Sequence, residues 1–503
     1  MNDNSSSVVF VLFGASGDLA FRKILPALNR LSREQLLPSS FHLLGVGRTP
    51  MDDAAFQERV RTAAGDVQSS HLIAHSHYLT ADPADPAGYA RLADRLAAFQ
   101  RVGQPPPCLL FYLALPTSLL TSVVDGLTSA GLTRPPHSAA WCRIVLEKPL
   151  GHDGTSARAL NRRLATVFPE EAVFRMDHYL GKETVQNILA VRFSNTLFEA
   201  LWHRAHIRRV ELTAAEDEGV GRRAGYYDQA GALRDMVQNH LLQILAFLAM
   251  EPPASNRDRA IRRETLKVLE SLRPTPPDRV RSDVIRGQYG RATLNGRSVP
   301  GYREEPGVSP ESRTETYVAL RLFVDTPRWH GVPIVIRTGK RLPTRVTEAV
   351  IHFHPAPPLL FRRENGLPLP ANQLILRIQP DEGLLLRFNL KTPGAGLKTQ
   401  EAALEFHYRD LADIRLPDAY ERLLLDILQG DASLFPTAAE TEAAWDFVDP
   451  ILAAWEADPT IPLYGYPAGS WGPEAADALI GEPGEHWRYP CRRLSTDGQF
   501  CEL

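Results

Sequence analysis

Two stretches of this chain crowd together groups that can move protons and hold anions. Residues 175–183, RMDHYLGKE, bring an acid (Asp177), an imidazole (His178), a phenol (Tyr179) and an ammonium (Lys182) into nine positions. They follow a short apolar run, AVF, and lead into KETVQNILAVRF, which has a helical pattern. Lys182 therefore falls where a helix begins, adding its charge to a helix N-terminus, a good anion site. His178 and Tyr179 can donate to the same anion, whereas Asp177 would repel it and needs another partner. The second stretch, DMVQNHLLQILAFLAM, offers one in His240. From Leu241 onward it is apolar on nearly every side, so the polar Asp235, Gln238, Asn239 and His240 at its start need hydrogen-bond partners. A carboxylate that orients an imidazole and stabilises its protonated form makes a general base. On chemistry alone, RMDHYLGKE is equally an exposed charged loop and His240 equally a satisfied core histidine.

Near the N-terminus, the continuous apolar run VVFVLF (8–13) reads as a strand buried on both faces. GASGDLA follows at once, placing Gly14, Ser16, Gly17, Asp18 and Leu19 between that strand and a helix marked by Leu25, Leu28 and Leu31. Glycines in such a turn let the backbone approach a pyrophosphate, which the helix N-terminus stabilises. The spacing is GxxGxxA, with Ala20 in the close-packing place of the third glycine. The next strand, FHLLGVG (41–47), ends at Arg48-Thr49 with no acid at its tip; Asp52 and Asp53 come later. An acid at that tip suits the ribose hydroxyl of NAD, and an arginine suits the extra phosphate of NADP. The reading is NADP, with a solvated loop arginine as the plain alternative. Glu147-Lys148-Pro149 closes another strand, at the end where open α/β sheets bind ligands, so Lys148 points toward nicotinamide and substrate. Otherwise it is a surface lysine before a turn proline.

These residues need a scaffold, and the chain is long enough to provide two. At 503 residues it exceeds the ~250–300 at which a single core stops growing. Apolar runs at 8–13, 41–47, 108–115 and 143–149 alternate with helical patterns such as YARLADRLAAF, the pattern of a doubly wound parallel sheet. Beyond about residue 185 come longer, partly alternating strand candidates: 207–216, 314–325, 332–342, 348–354, 372–380 and 383–391. A helix-rich stretch, 230–272, lies between the first two. This is the pattern of a mostly antiparallel sheet. The expectation is a Rossmann-type nucleotide domain over 1–183 and a larger α+β substrate-binding and oligomerisation domain over 184–503. Pro-rich pieces at 103–107 and 273–278 read as loops.

Composition narrows the function class. With 44% hydrophobic and 23% charged residues and a net charge of −3, the chain shows no footprint for nucleic acid or anionic membrane. No run approaches a membrane span, and the start lacks a basic export region. Cys108, Cys142, Cys491 and Cys501 have neither CxxC pairing nor ligand spacing, so neither disulfides nor a metal site is expected, which fits the cytoplasm.

Seven motifs, in order, resemble the glucose-6-phosphate dehydrogenase family: GASGDLA, EKPLG, RMDHYLGKE, GYREEPGV (301–308), RTGKRL (337–342), DAYERLLLD (418–426) and AGSWGPEAADAL (468–479). They extend over residues ~10 to ~480. The resemblance implies oxidation of glucose 6-phosphate at C1 to 6-phosphoglucono-1,5-lactone with hydride passing to NADP+, the first step of the oxidative pentose phosphate pathway. It makes His240 the general base and Asp177 its partner. His178, Tyr179 and Lys182 become the phosphate and substrate site, and Glu216 and Asp235 the acids on sugar hydroxyls. Lys340 and Arg345 become the basic residues closing over substrate, and Arg48 the NADP-phosphate arginine. Lys148 contacts cofactor and sugar, beside a proline, Pro149, that is cis in the family. Dimers or tetramers assembled through the large sheet are also implied. Three departures stand out. Phe21 replaces a lysine common after GDLA, leaving Arg22 and Lys23 and leaving NAD+ open beside NADP+. Met176 replaces isoleucine, a volume-conserving change. The segment AAETEAAW after Pro436 lacks a common arginine.

Two other readings compete. The inositol dehydrogenase and glucose–fructose oxidoreductase group shares a Rossmann domain and an EKP lysine, but lacks RMDHYLGKE with a downstream QNH. A non-catalytic NADPH-binding sensor would lose the base or the phosphate donors, and Asp177, His178, Lys182 and His240 are all present.

Overall fold

The computed structural model describes residues 7–100, 105–134, 140–294, 296–361, 368–394, 396–411, 415–481 and 485–490. Cys491, Cys501 and the start of the 103–107 piece lie outside them. The chain forms two compact units. One comprises Met1–Lys182, Ala254–Arg262 and Leu416–Glu442, the other Glu183–Pro253, Arg263–Arg415 and Ala443–Leu503.

The first unit is built on six strands: β1 (Val8–Phe13), β2 (Phe41–Gly47), β3 (Ser76–Thr80), β4 (Cys108–Leu113), β5 (Cys142–Leu146) and β6 (Val173–Arg175). All pair in parallel, in the order β3-β2-β1-β4-β5-β6. That is the strand order of a dinucleotide-binding sheet, whose ligand crevice opens where the order reverses, at β1 and β4. VVFVLF is buried at every position because helices cover both faces. Helix α1 (Leu25–Arg33) buries Leu25, Leu28 and Leu31, the expected stripe, and α2 (Asp53–Ala64) buries Phe56, Val60 and Ala64. The edge strand β3, SHYLT, carries little apolar signal and is an addition to the sequence reading.

The second unit centres on a nine-stranded sheet. Its strands are β7 (Ile207–Ala215), β8 (Val284–Gly290), β11 (Tyr317–Leu322), β12 (Ile334–Gly339), β13 (Val346–Phe353), β14 (Gln373–Gln379), β15 (Gly383–Lys391), β16 (Thr399–His407) and β17 (Leu463–Pro467). A separate hairpin is made by β9 (Ala292–Leu294) and β10 (Arg297–Val299). The order is β16-β15-β14-β13-β7-β12-β11-β8-β17. Pairing is antiparallel except for β7 with β12 and β8 with β17. The first of those parallel pairs matters for the site, because both chains leave the sheet at the same end.

Candidate active site

The turn after β1 in the first unit is shaped for a ligand backbone. Gly14 has φ +76°, and a Cβ there would lie 2.3 Å from the Ala114 carbonyl oxygen of the neighbouring strand, so glycine is required. The Gly14 and Ala15 amides both donate to Val46 O, and Gly17 N donates to Gly14 O at 2.8 Å. The chain then winds through one wide π-type turn, Ala20–Ile24, into α1. Ser16 and Leu19 are half-buried, while Gly17 and Asp18 face solvent, with Asp18 pairing Arg22 at 2.7 Å. Arg48 is exposed just beyond β2. The two nearby acids are committed elsewhere. Asp52 caps α2 by accepting from Ala55 N at 2.7 Å. Asp53 accepts from Tyr78 N (2.7 Å) and Arg95 (2.6 Å) and lies 3.2 Å from His77. Burial opposes the charge on Asp53, but these bonds outweigh it and hold its carboxyl below the usual range. No acid is left to bind a ribose hydroxyl at the strand tip, so the turn and Arg48 fit NADP.

Farther along the same sheet, Glu147 is half-buried. It accepts from the Tyr112 phenol at 2.5 Å and from Tyr420 at 3.3 Å. Burial pushes its carboxyl up, against the lowering effect of those phenols and of Lys148. The Lys148–Pro149 bond is cis. The Tyr420 ring also stacks on His178, with centroids 6.4 Å apart and planes 13° from parallel. RMDHYLGKE itself is a tight turn after β6. Asp177, 3% exposed, accepts from Tyr179 N through its carboxylate (2.9 Å) and from Leu180 N through its carbonyl (3.0 Å). Tyr179 O accepts from Lys182 N (3.2 Å), and the Lys182 ammonium lies 5.4 Å from the Tyr179 ring centre. Helix 183–193 begins directly afterwards. Arg175 belongs to the scaffold rather than to the chemistry. It is buried, pairs with Glu170 at 2.7 Å, and donates to Asn161 Oδ1 (3.1 Å) and Pro436 O (3.4 Å). The altered segment beyond Pro436 opens the next helix through reciprocal bonds between Thr437 and Glu440, and Ala438 N donates to Glu170.

In the second unit, the parallel ends of β7 and β12 place Glu216 and Lys340 side by side as a 2.5 Å ion pair. The Lys340 ammonium also lies 4.9 Å from the Tyr227 ring centre. Arg345 is exposed immediately before β13. Asp235 and His240 stand on a π-wound stretch, Leu233–Leu241, that passes into an α-helix, Leu242–Ala249. Both are buried, His240 completely. In α winding, residues five apart diverge by roughly 140°; i→i+5 winding brings them much closer to one side, and such turns recur at functional sites. The Tyr226 phenol donates to Asp235 at a long 3.5 Å, and burial and then Asp235 push that phenol up. Among the described residues, no cluster of three or more His, Cys, Asp or Glu could hold a metal ion.

Comparison with known proteins identifies the scaffold. Residues 11–187 match the family description "Glucose-6-phosphate dehydrogenase, NAD binding domain", and residues 189–488 match "Glucose-6-phosphate dehydrogenase, C-terminal domain". The chain belongs to the glucose-6-phosphate dehydrogenase family. It is 45% identical over 505 residues to a glucose-6-phosphate 1-dehydrogenase of Treponema pallidum, covering 98% of each chain. It is 46% identical over 487 residues to one from Aggregatibacter actinomycetemcomitans, covering 95% of this chain and 97% of that one. A solved glucose-6-phosphate dehydrogenase in complex with its substrate glucose-6-phosphate superposes with a TM-score of 0.85 at 33% identity, covering 96% of this chain and 99% of that one.

Several residues around these groups escaped the sequence reading. The most consequential is Glu315, 4% exposed, which holds the start of the π-wound stretch. Its carboxylate accepts from Leu233 N at 3.0 Å and its carbonyl from Ala232 N at 3.0 Å. Gly231 (φ +72°) makes room for it, since a Cβ there would meet the carboxylate at 2.4 Å. Burial pushes the Glu315 carboxyl up, against the Leu233 amide, its own amide, Arg234 and Arg286. Its one sequence signal was a polar residue just ahead of an apolar strand, in TETYVALRLF. Tyr112, Tyr227 and Tyr420 gave no signal beyond their aromatic character.

Proposed function

We propose that this protein oxidises β-D-glucose 6-phosphate at C1 to 6-phospho-D-glucono-1,5-lactone, opening the oxidative pentose phosphate pathway. NADP+, when bound, accepts the hydride. His240 takes the proton of the C1 hydroxyl as the C1–H electron pair departs and the carbonyl forms. Asp177 is its partner, fixing the ring tautomer and favouring the protonated form. His178, Tyr179 and Lys182 hold the substrate phosphate. Glu216 and Asp235 accept from sugar hydroxyls, Lys340 and Arg345 close over the sugar, and Lys148 serves both sugar and cofactor. Gly14, Ser16, Gly17, Asp18, Leu19 and Arg48 receive the cofactor. Residues 1–183 carry the cofactor role, and 184–503 the substrate and assembly roles.

The reading is carried by the match to the family along nearly the whole chain. A buried imidazole on the π-wound stretch and a Glu216–Lys340 pair at two parallel strand ends support it. The test is an assay of glucose 6-phosphate with NADP+ followed at the NADPH absorbance band. Turnover with glucose 6-phosphate and none with inositol supports the assignment. Binding of NADPH without turnover would favour the sensor reading and sink this one.

The protein works as a homodimer or homotetramer in the cytoplasm. Strands β15 and β16 pair Leu386 with Leu404 and Leu384 with Phe406, and Phe388 and Leu390 continue that face. Leu404 is 62% exposed and Leu390 48%, an apolar stripe suited to a second copy. Leu404→Glu should lower the mass measured by light scattering; an unchanged mass would remove this face from the interface. No helix among the described residues is long and apolar enough to cross a membrane.

A further inference from the structure

We propose that Arg59 is a second cation for the cofactor's adenosine 2′-phosphate, working with Arg48 to set the choice between NADP+ and NAD+. This rests on the cofactor reading above. Arg59 projects from α2 back over the turn that follows β1. Its Nη2 donates to Ser16 O (2.8 Å) and Gly17 O (3.2 Å), and its Nε to Ala15 O (3.3 Å). The guanidinium carbon stands 4.9 Å from the centre of the Phe21 ring, a favourable cation–π distance. The fork is thus fixed on two sides. Nη1 has no hydrogen-bond partner among the described residues, and no carboxylate there pairs with this arginine.

The neighbouring cations are differently placed. Arg22 faces Asp18 at 2.7 Å and Lys23 faces Asp418 at 3.2 Å. Position 21 itself carries an uncharged ring. Among the described residues, the cations at the turn without a carboxylate partner are therefore Arg48 and Arg59. The turn that Arg59 grips is also tied to the strand tip that carries Arg48. The Ser16 hydroxyl and the Tyr78 phenol stand together beside Gly47, and that phenol donates to Thr49 O at 2.9 Å. In dinucleotide-binding sheets, the second strand's tip is where the adenosine ribose is read, and an arginine there takes the 2′-phosphate. A guanidinium pre-set by three carbonyls and a ring loses little freedom on meeting a phosphate dianion. Phe21 therefore serves as a platform for a cation supplied from α2.

The test uses the full chain and measures dissociation constants of NADP+ and NAD+ by quenching of tryptophan fluorescence. Arg59→Met should weaken NADP+ by ~10–100-fold, the worth of one charge-assisted bond, and leave NAD+ unchanged. Arg59→Lys should fall between, because it keeps the charge and loses the fork. Phe21→Leu should give a smaller loss confined to NADP+. Melting curves check that each variant is folded, and Arg59→Lys carries the test if Arg59→Met is not. Equal losses for both cofactors would overturn the proposal, leaving Arg59 as a brace for the turn. A wild-type protein with no preference for NADP+ would overturn the cofactor reading, and the proposal with it.

Discussion

Replacing Glu315 separates a structural carboxylate from a catalytic one. Glu315→Ala removes the acceptor for Leu233 N, leaving an amide unsatisfied at a 4%-exposed position. A buried donor without its partner costs about 1–3 kcal/mol, and the space left beside Gly231 adds to it. The π-wound stretch that begins there carries Asp235 and His240. A shift of about 1 Å in a catalytic group can cost ~10²-fold, so kcat should fall by ~10–100-fold while the NADP+ dissociation constant stays put. Glu315→Gln keeps an oxygen for Leu233 N and should retain most activity. It should also change the pH dependence of stability. Burial holds the folded-state carboxyl above its unfolded value, so between the two the folded protein binds more protons. That contribution is fully present below the unfolded pKa and is lost as pH rises through the folded one. Wild type should therefore lose stability across the window just above the ordinary carboxylate range, and Glu315→Gln should lose less. Denaturant midpoints at a series of pH values, with steady-state kinetics, read both effects. A Glu315→Ala variant with wild-type kcat, or a Glu315→Gln variant with an unchanged pH profile, would refute the reasoning.

Other changes divide the site by function. Arg48→Ala should weaken NADP+ far more than NAD+, since one charge-assisted bond to a phosphate is worth ~1.5–3 kcal/mol; equal losses in a binding titration would remove it from that role. Lys182→Ala or His178→Ala should raise KM for glucose 6-phosphate by ~10–150-fold and barely alter the weak activity on free glucose. Asp177→Asn should instead lower turnover on both sugars, and an identical pattern for Lys182→Ala and Asp177→Asn would end that division of labour. Arg175→Met should destabilise by about 2–3 kcal/mol in denaturant titrations, less than a fully buried pair because Glu170 is 40% exposed on its side chain; an unchanged midpoint would mean that this brace contributes nothing.

The sequence was most legible where apolar patterning or chemistry was local. VVFVLF and FHLLGVG appear as β1 and β2 at their expected bounds, because strands buried on both faces must be apolar throughout. Among the strands that escaped are several with weak patterning: SHYLT at an edge of the six-stranded sheet, VIRGQYG with its internal glycine and arginine, and TQEAALEFH and LYGYP at the two edges of the nine-stranded sheet. RMDHYLGKE was legible as a turn leading into a helix, and the polar start of the apolar helix after QNH as buried. Long-range partners were not. Glu315 meets Leu233 across 82 residues of chain and Arg59 meets Ser16 across 43, and neither spacing leaves a periodic trace. The winding of 233–241 was also hidden, since a helix reading assumes 3.6 residues per turn throughout. The sequence reading correctly placed no acid at the β2 tip; what it missed was that Asp52 and Asp53 are spent on capping α2 and fastening β3.

The central claim is that His240 is the base of a glucose 6-phosphate dehydrogenation, and kcat of His240→Asn with glucose 6-phosphate and NADP+ tests it most directly. A positioned base contributes ~10²–10⁴-fold and acts in the transition state alone. The account predicts a fall in kcat of that size, with KM for the sugar and the dissociation constant of NADP+ close to wild type. A large rise in KM with kcat intact would contradict it.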